Sequence, residues 1–167
     1  MHATLNIPRE PSVPFHYKRS RLNDLFWEAI NYPLVLVCAG SGYGKTSAVL
    51  DFITDRPDSS AWLQLSELDN AGTRFWKKYL QAVSYLDQST LQLMERFGFP
   101  DSEDKMNRYF ESIRAHVSKR RKIQVMDDFH LIEDPSVLHF VERGIQNLLP
   151  GMSLFLLTRS MPSIIRR

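Results

Sequence analysis

Hydrophobic positions along this chain follow two rhythms. Short apolar runs stand at Leu34–Cys38 (LVLVC), 60–65 (SAWLQL), 122–129 (KIQVMDDF) and 152–157 (MSLFLL). Runs of this length, rich in Val, Ile, Leu and aromatics, predict strands. Between them apolar residues recur at helical spacing. Leu22, Leu25, Phe26 and Ile30 mark a helix from Ser20 that Pro33 ends, and Ala48, Val49, Phe52 and Ile53 mark another after Lys45. Phe75, Trp76, Tyr79, Leu80 and Val83 form a third stripe, with Asp69 as its expected cap. Helices are also predicted over 89–97, closed by Gly98, and on the stripe Met106, Tyr109, Phe110, Ile113 and Val117. A last one starts at Asp134-Pro135, a cap followed by proline at the first helical position, and buries Val137, Leu138, Val141, Ile145 and Leu148. Strands alternating with helices predict an α/β domain with a parallel sheet between helices. Residues 1–16 carry three prolines and no periodicity, which predicts an extended arm before a domain over 17–167.

The first predicted strand runs directly into Ala39-Gly40-Ser41-Gly42-Tyr43-Gly44-Lys45-Thr46 and then a helix. Strand, glycine-rich loop, Lys-Thr and helix describe a phosphate-binding loop. Such a loop points unpaired backbone N–H groups and a helix N-terminus at one anion. Lys45 is placed to reach the β- and γ-phosphates, and Thr46 to put its hydroxyl on Mg²⁺. The usual pattern has glycine where Ala39 stands, a change that a strand-end residue with negative φ absorbs. A dinucleotide fingerprint starting at Gly40 fails, because its third glycine would fall at Lys45.

A phosphate-binding loop needs an acidic partner, and the 122–129 strand ends in Asp127-Asp128. Strand C-termini of a parallel sheet share one edge, so these acids arrive beside the loop. Asp127 is the candidate Mg²⁺ ligand, and Asp128 the candidate that polarises a water toward the γ-phosphate. His130 follows at once and reads equally well as an orienting or a structural residue. Arg159, after the 152–157 strand, is the candidate γ-phosphate sensor. The run Lys119-Arg120-Arg121-Lys122 reads as a solvated helix C-terminus rather than a phosphate site.

Composition removes other classes. With 21 basic and 19 acidic residues in 167, the charge is too balanced to imply a nucleic-acid surface. The lone Cys38 excludes a disulfide framework, and the five histidines show no ligand spacing. No apolar run approaches the roughly 20 residues of a membrane span, and the N-terminus lacks a signal-peptide pattern. A cytoplasmic setting is expected.

Four stretches in order, AGSGYGKTSAVLDF, AWLQLSELDNAGTRFWKKYLQAV, VMDDFHLI and SLFLLTRSMP, resemble the ATPase domain of MalT-like, LuxR-type large transcriptional regulators. Those belong to the signal-transduction NTPases with numerous domains (the STAND group of P-loop NTPases). The resemblance spans roughly residues 18–162. It implies a switch holding ADP at rest, in which ATP and an unknown effector drive self-association and slow hydrolysis resets the state. It further implies a sheet in which the acid-bearing Walker B strand is separated from the loop strand by the sensor strand. Residues 39–46 would then bind phosphates, Asp127 and Asp128 form the Walker B pair, and Arg159 match the sensor arginine. Tyr17-Lys18-Arg19 matches the adenine-cradling segment. Gly40-Ser41-Gly42 departs from the family's common Pro-Ala-Gly. The family's winged-helix, sensor and helix-turn-helix domains would follow residue 167, so DNA binding is expected of a longer parent protein. A stand-alone P-loop ATPase or small P-loop kinase is the alternative; neither an acceptor site nor an arginine lid is visible in the sequence. A degenerate domain that binds nothing is disfavoured by intact Lys45, Thr46, Asp127 and Asp128.

Overall fold

In a computed structural model, residues 19–54, 60–84, 88–115 and 121–165 are described. Four parallel strands, β1 (Leu34–Cys38), β2 (Ser60–Gln64), β3 (Lys122–Asp127) and β4 (Met152–Thr158), lie in the order β1-β4-β3-β2. Parallel neighbours cannot be joined by tight turns; α1 (Ser20–Ala29) precedes β1, and α2 (Lys45–Thr54), α3 (Gly72–Val83), α4 (Gln88–Phe97), α5 (Glu103–Arg114) and α6 (Pro135–Gln146) cross between the strands. This is the predicted α/β architecture, with β4 between β1 and β3.

Alternation along each strand splits the interior into two layers. Trp62, Val125, Phe155 and Leu157 face α1 and α2, meeting Phe26, Val49, Phe52 and Ile53. Leu63, Met126, Leu154 and Leu156 face α3–α6, where Phe75, Trp76, Tyr109 and Phe140 form an aromatic cluster. The central strand β4 is buried from Ser153 to Thr158, whereas β1 is half-exposed along its length and, among the described residues, pairs with β4 alone. Cys38, at its end, is exposed.

Several local expectations change in three dimensions. Leu25 is 50% exposed, because the stripe Leu22, Phe26, Ile30 faces α2 and the sheet while Leu25 lies off it. Asp69 does not cap α3, which begins after Ala71. It closes a short 3₁₀ turn instead, accepting from Ser66 N (2.8 Å), Ser66 Oγ (2.7 Å) and Lys78 Nζ (2.7 Å). A carboxylate this buried gains more from a cation and two donors than from a free helix end. On α6, Phe140 is buried, while Leu138 and Ile145 are only half-buried, and Leu148, half-buried as well, lies beyond the helix end. Asp134 does cap α6, accepting from Ser136 N and Val137 N at 3.0 Å each, and Gly98 ends α4 with φ +66°. The arm 1–16, Tyr17, Lys18, Val117, Lys119 and Arg120 lie outside the described residues. Among the described residues no helix is long and apolar enough to cross a membrane.

Candidate functional site

Because all four strands run the same way, their C-terminal ends share an edge. The 39–44 loop leaves β1 there, Gln64 ends β2, Asp127 and Asp128 end β3, and Arg159 follows β4. The pairing puts Cys38 opposite Thr158 and Gln64 opposite Asp127. Ala39 prolongs β1, its N–H donating to Thr158 O at 3.2 Å. Its φ is not positive, so alanine fits there without strain. The chain then turns through Gly42 (φ +78°) and Gly44 (φ +73°), both in the left-handed region that glycine enters freely. Gly40 has no such requirement; an added Cβ would meet only the Tyr43 ring, at 3.3 Å. The three glycines are therefore not equivalent. Ser41 and Tyr43 are exposed.

Two cations brace this loop. Lys45 Nζ donates to Ala39 O (2.7 Å) and Gly40 O (3.0 Å), and Arg19 Nη1 donates to Tyr43 O (3.0 Å). Arg19, the described residue of the segment that matches the adenine cradle, thus lies against the loop backbone. A cavity of about 550 Å³, walled largely by apolar side chains including Leu22, Phe26, Val35 and Val37, adjoins the loop between α1 and β1.

Thr46 Oγ1 donates to Asp127 Oδ2 at 2.8 Å, joining residues 81 apart in sequence. Asp127 is 1% exposed. Burial pushes its carboxyl above the usual range, opposed by the Thr46 hydroxyl and by the Asp128 N–H at 2.8 Å. Asp128 takes φ 55°, ψ 36°, and among the described residues is the one non-glycine with positive φ. Backbone strain of this kind concentrates at functional sites. Its Oδ2 accepts from Gln64 Nε2 at 2.8 Å, and its Oδ1 lies 3.9 Å from His130 Nδ1. Burial, and then the charge of Arg159, lower the His130 pKa. Both effects favour the neutral imidazole. Arg159 is exposed at the end of β4.

Every described candidate thus reaches one edge of the sheet. Gln64 was missed. Its trace in the sequence is a polar residue closing an otherwise apolar strand, two positions after Trp62. Among the described residues no three His, Cys, Asp or Glu side chains converge as a metal cage. Thr46 and Asp127 present two hard oxygens, the partial set that suits Mg²⁺ when phosphate and water complete its shell.

A parallel sheet carrying a glycine loop, a Lys-Thr helix start and an acidic strand end defines an α/β fold of the P-loop NTPase type. No protein-family profile matches the chain. The chain is similar to proteins named HTH-type transcriptional regulator MalT. That of Vibrio cholerae serotype O1 is 25% identical over 148 residues, covering 87% of this chain and 16% of the relative. That of Klebsiella pneumoniae is 26% identical over 164 residues, covering 95% and 18%. That of Yersinia pestis is 24% identical over the same length and shares. The chain therefore spans less than a fifth of the length of the curated relatives it matches.

Proposed function

We propose that this chain is an ATP- and ADP-binding switch unit of a MalT-like transcriptional regulator, with slow Mg²⁺-dependent hydrolysis at most. The observation that carries this reading is the Thr46–Asp127 hydrogen bond beside the Lys45-braced loop. It places two oxygens and an ammonium group around the start of α2, whose N-terminus favours negative charge. On binding, Lys45 exchanges two loop carbonyls for phosphate oxygens. Thr46 and Asp127 hold Mg²⁺, which offsets the charge of the β- and γ-phosphates. Asp128 orients the attacking water, and Arg159, exposed beside His130, is available to the γ-phosphate. The apolar cavity between α1 and β1 suits the base. The loop contacts are indifferent to which base it is; adenine follows from the family resemblance.

The relatives' name supplies the regulatory context. DNA contact would come from their helix-turn-helix segment and not from the residues described here. Self-association in the ATP state and an effector that triggers it complete the proposed cycle.

Titration calorimetry with ADP and with Mg-ATP, on the chain and on Lys45→Ala, tests the reading. Loss of a charge-assisted hydrogen bond is worth about 1.5–3 kcal/mol, or roughly 10–100-fold in Kd. The expected result is binding by the chain, weakened by that factor in the variant. Equal affinity of the two proteins would remove the loop assignment.

A further inference from the structure

The Asp128 carboxylate is not free. Gln64 Nε2 holds its Oδ2 at 2.8 Å, and Gln64 ends β2. In the order β1-β4-β3-β2, β2 flanks β3 on the side opposite to β4, β1 and the loop. The Gln64 bond therefore draws Asp128 toward the far edge of the sheet, while Thr46 ties the neighbouring Asp127 to α2. The amide is itself oriented: Trp62 Nε1, on a buried indole, donates to Gln64 Oε1 at 3.4 Å, leaving Nε2 to face the carboxylate. The left-handed backbone of Asp128 is over-determined by this contact and by its own N–H to Asp127 Oδ1.

We propose that Gln64 is a positioning residue that parks the Asp128 carboxylate on the β2 side of β3, away from the phosphate loop, and so restrains hydrolysis. The proposal rests on the nucleotide-switch reading. Turnover then requires the 2.8 Å bond to break, and nucleotide binding does not. Slow hydrolysis is thereby a property of a contact outside the loop. A signal that moves the end of β2 relative to β3 releases it.

The test uses Gln64→Leu, and Gln64→Ser should the larger change impair folding. Removing one hydrogen bond to a charged acceptor should raise kcat about 10-fold with the KM for Mg-ATP and the Kd for ADP unchanged. The gain should vanish in the Asp128→Asn background, since a merely structural role moves both backgrounds alike. Without nucleotide, urea denaturation of the four proteins of that double-mutant cycle should show the two substitutions non-additive. An unchanged or lower kcat in Gln64→Leu overturns the restraint, as does additivity in the cycle. Failure of the parent reading is distinct: there the unsubstituted chain binds neither nucleotide, whatever stands at position 64.

Discussion

Three glycines in one loop invite the expectation that all three are required for the same reason, and the geometry separates them. Gly42 has φ +78° with no atom within 4 Å of an added Cβ, so Gly42→Ala meets backbone strain alone. An L-residue in the left-handed region costs about 1–2 kcal/mol. Reduced freedom of the unfolded chain returns about 0.4–1 kcal/mol, for a net loss near 1 kcal/mol. Gly44→Ala carries the same strain at φ +73°, and its Cβ falls 3.2 Å from Arg19 Nη2. Displacing that guanidinium sacrifices the Arg19–Tyr43 O bond as well, raising the loss to about 2 kcal/mol. Gly40→Ala meets neither penalty, because φ is not positive there and the Tyr43 ring it touches is 70% exposed and free to swing. For a chain of this size ~1 kcal/mol moves Tm by roughly 2–4 °C. Thermal and urea denaturation without nucleotide should therefore rank the variants Gly44→Ala, Gly42→Ala, Gly40→Ala, with the last near the unsubstituted chain. A Gly40→Ala loss equal to that of Gly42→Ala would refute the conformational account of this loop.

Two further substitutions test the scaffold behind the site. Asn70 accepts from Glu133 N and Asp134 N and donates to Leu131 O, stapling the turn after β2 to the segment after β3; Asn70→Ala should cost about 2 kcal/mol, read as a Tm fall of about 4–8 °C. Burial raises the Asp69 carboxyl, but the Lys78 and Ser66 hydrogen bonds outweigh it and hold its pKa below the usual range. A carboxyl depressed in the folded state stabilises above its unfolded pKa of about 3.9 and loses that contribution as pH falls through the folded value. Asp69→Asn should thus lower Tm at pH 7, with the gap closing below about pH 4; a gap independent of pH would mean the ion pair contributes nothing.

The parts of the site that the sequence displays are those whose chemistry is contiguous. Residues 39–46 carry strand exit, turn and Lys-Thr within eight positions, and Asp127-Asp128 closes an apolar run, so both can be read locally. Gln64 could not be read in this way. Its partner lies 64 residues away, and its role depends on β2 standing beside β3, which no local pattern encodes. The strand order came from the family resemblance and not from periodicity. Asp69 misled for a related reason: a cap and a buried ion-pair partner share one residue type, and Lys78, nine positions on, decides between them. Leu25 and Phe140 show the limit of stripe reading, since one apolar side chain faces solvent and another, left out of the expected face, fills the aromatic cluster.

The half-exposed edge of β1 bears on how any assembly of this chain is to be interpreted. Leu-Val-Leu-Val-Cys is uncharged, β-favouring and free of proline, the composition that lets one sheet recruit another chain through its backbone. Association by that route needs no nucleotide and would persist in Lys45→Ala. A nucleotide-driven complex would dissolve in the same variant. Light scattering of both proteins over a dilution series therefore separates sticky-edge pairing from a switched assembly.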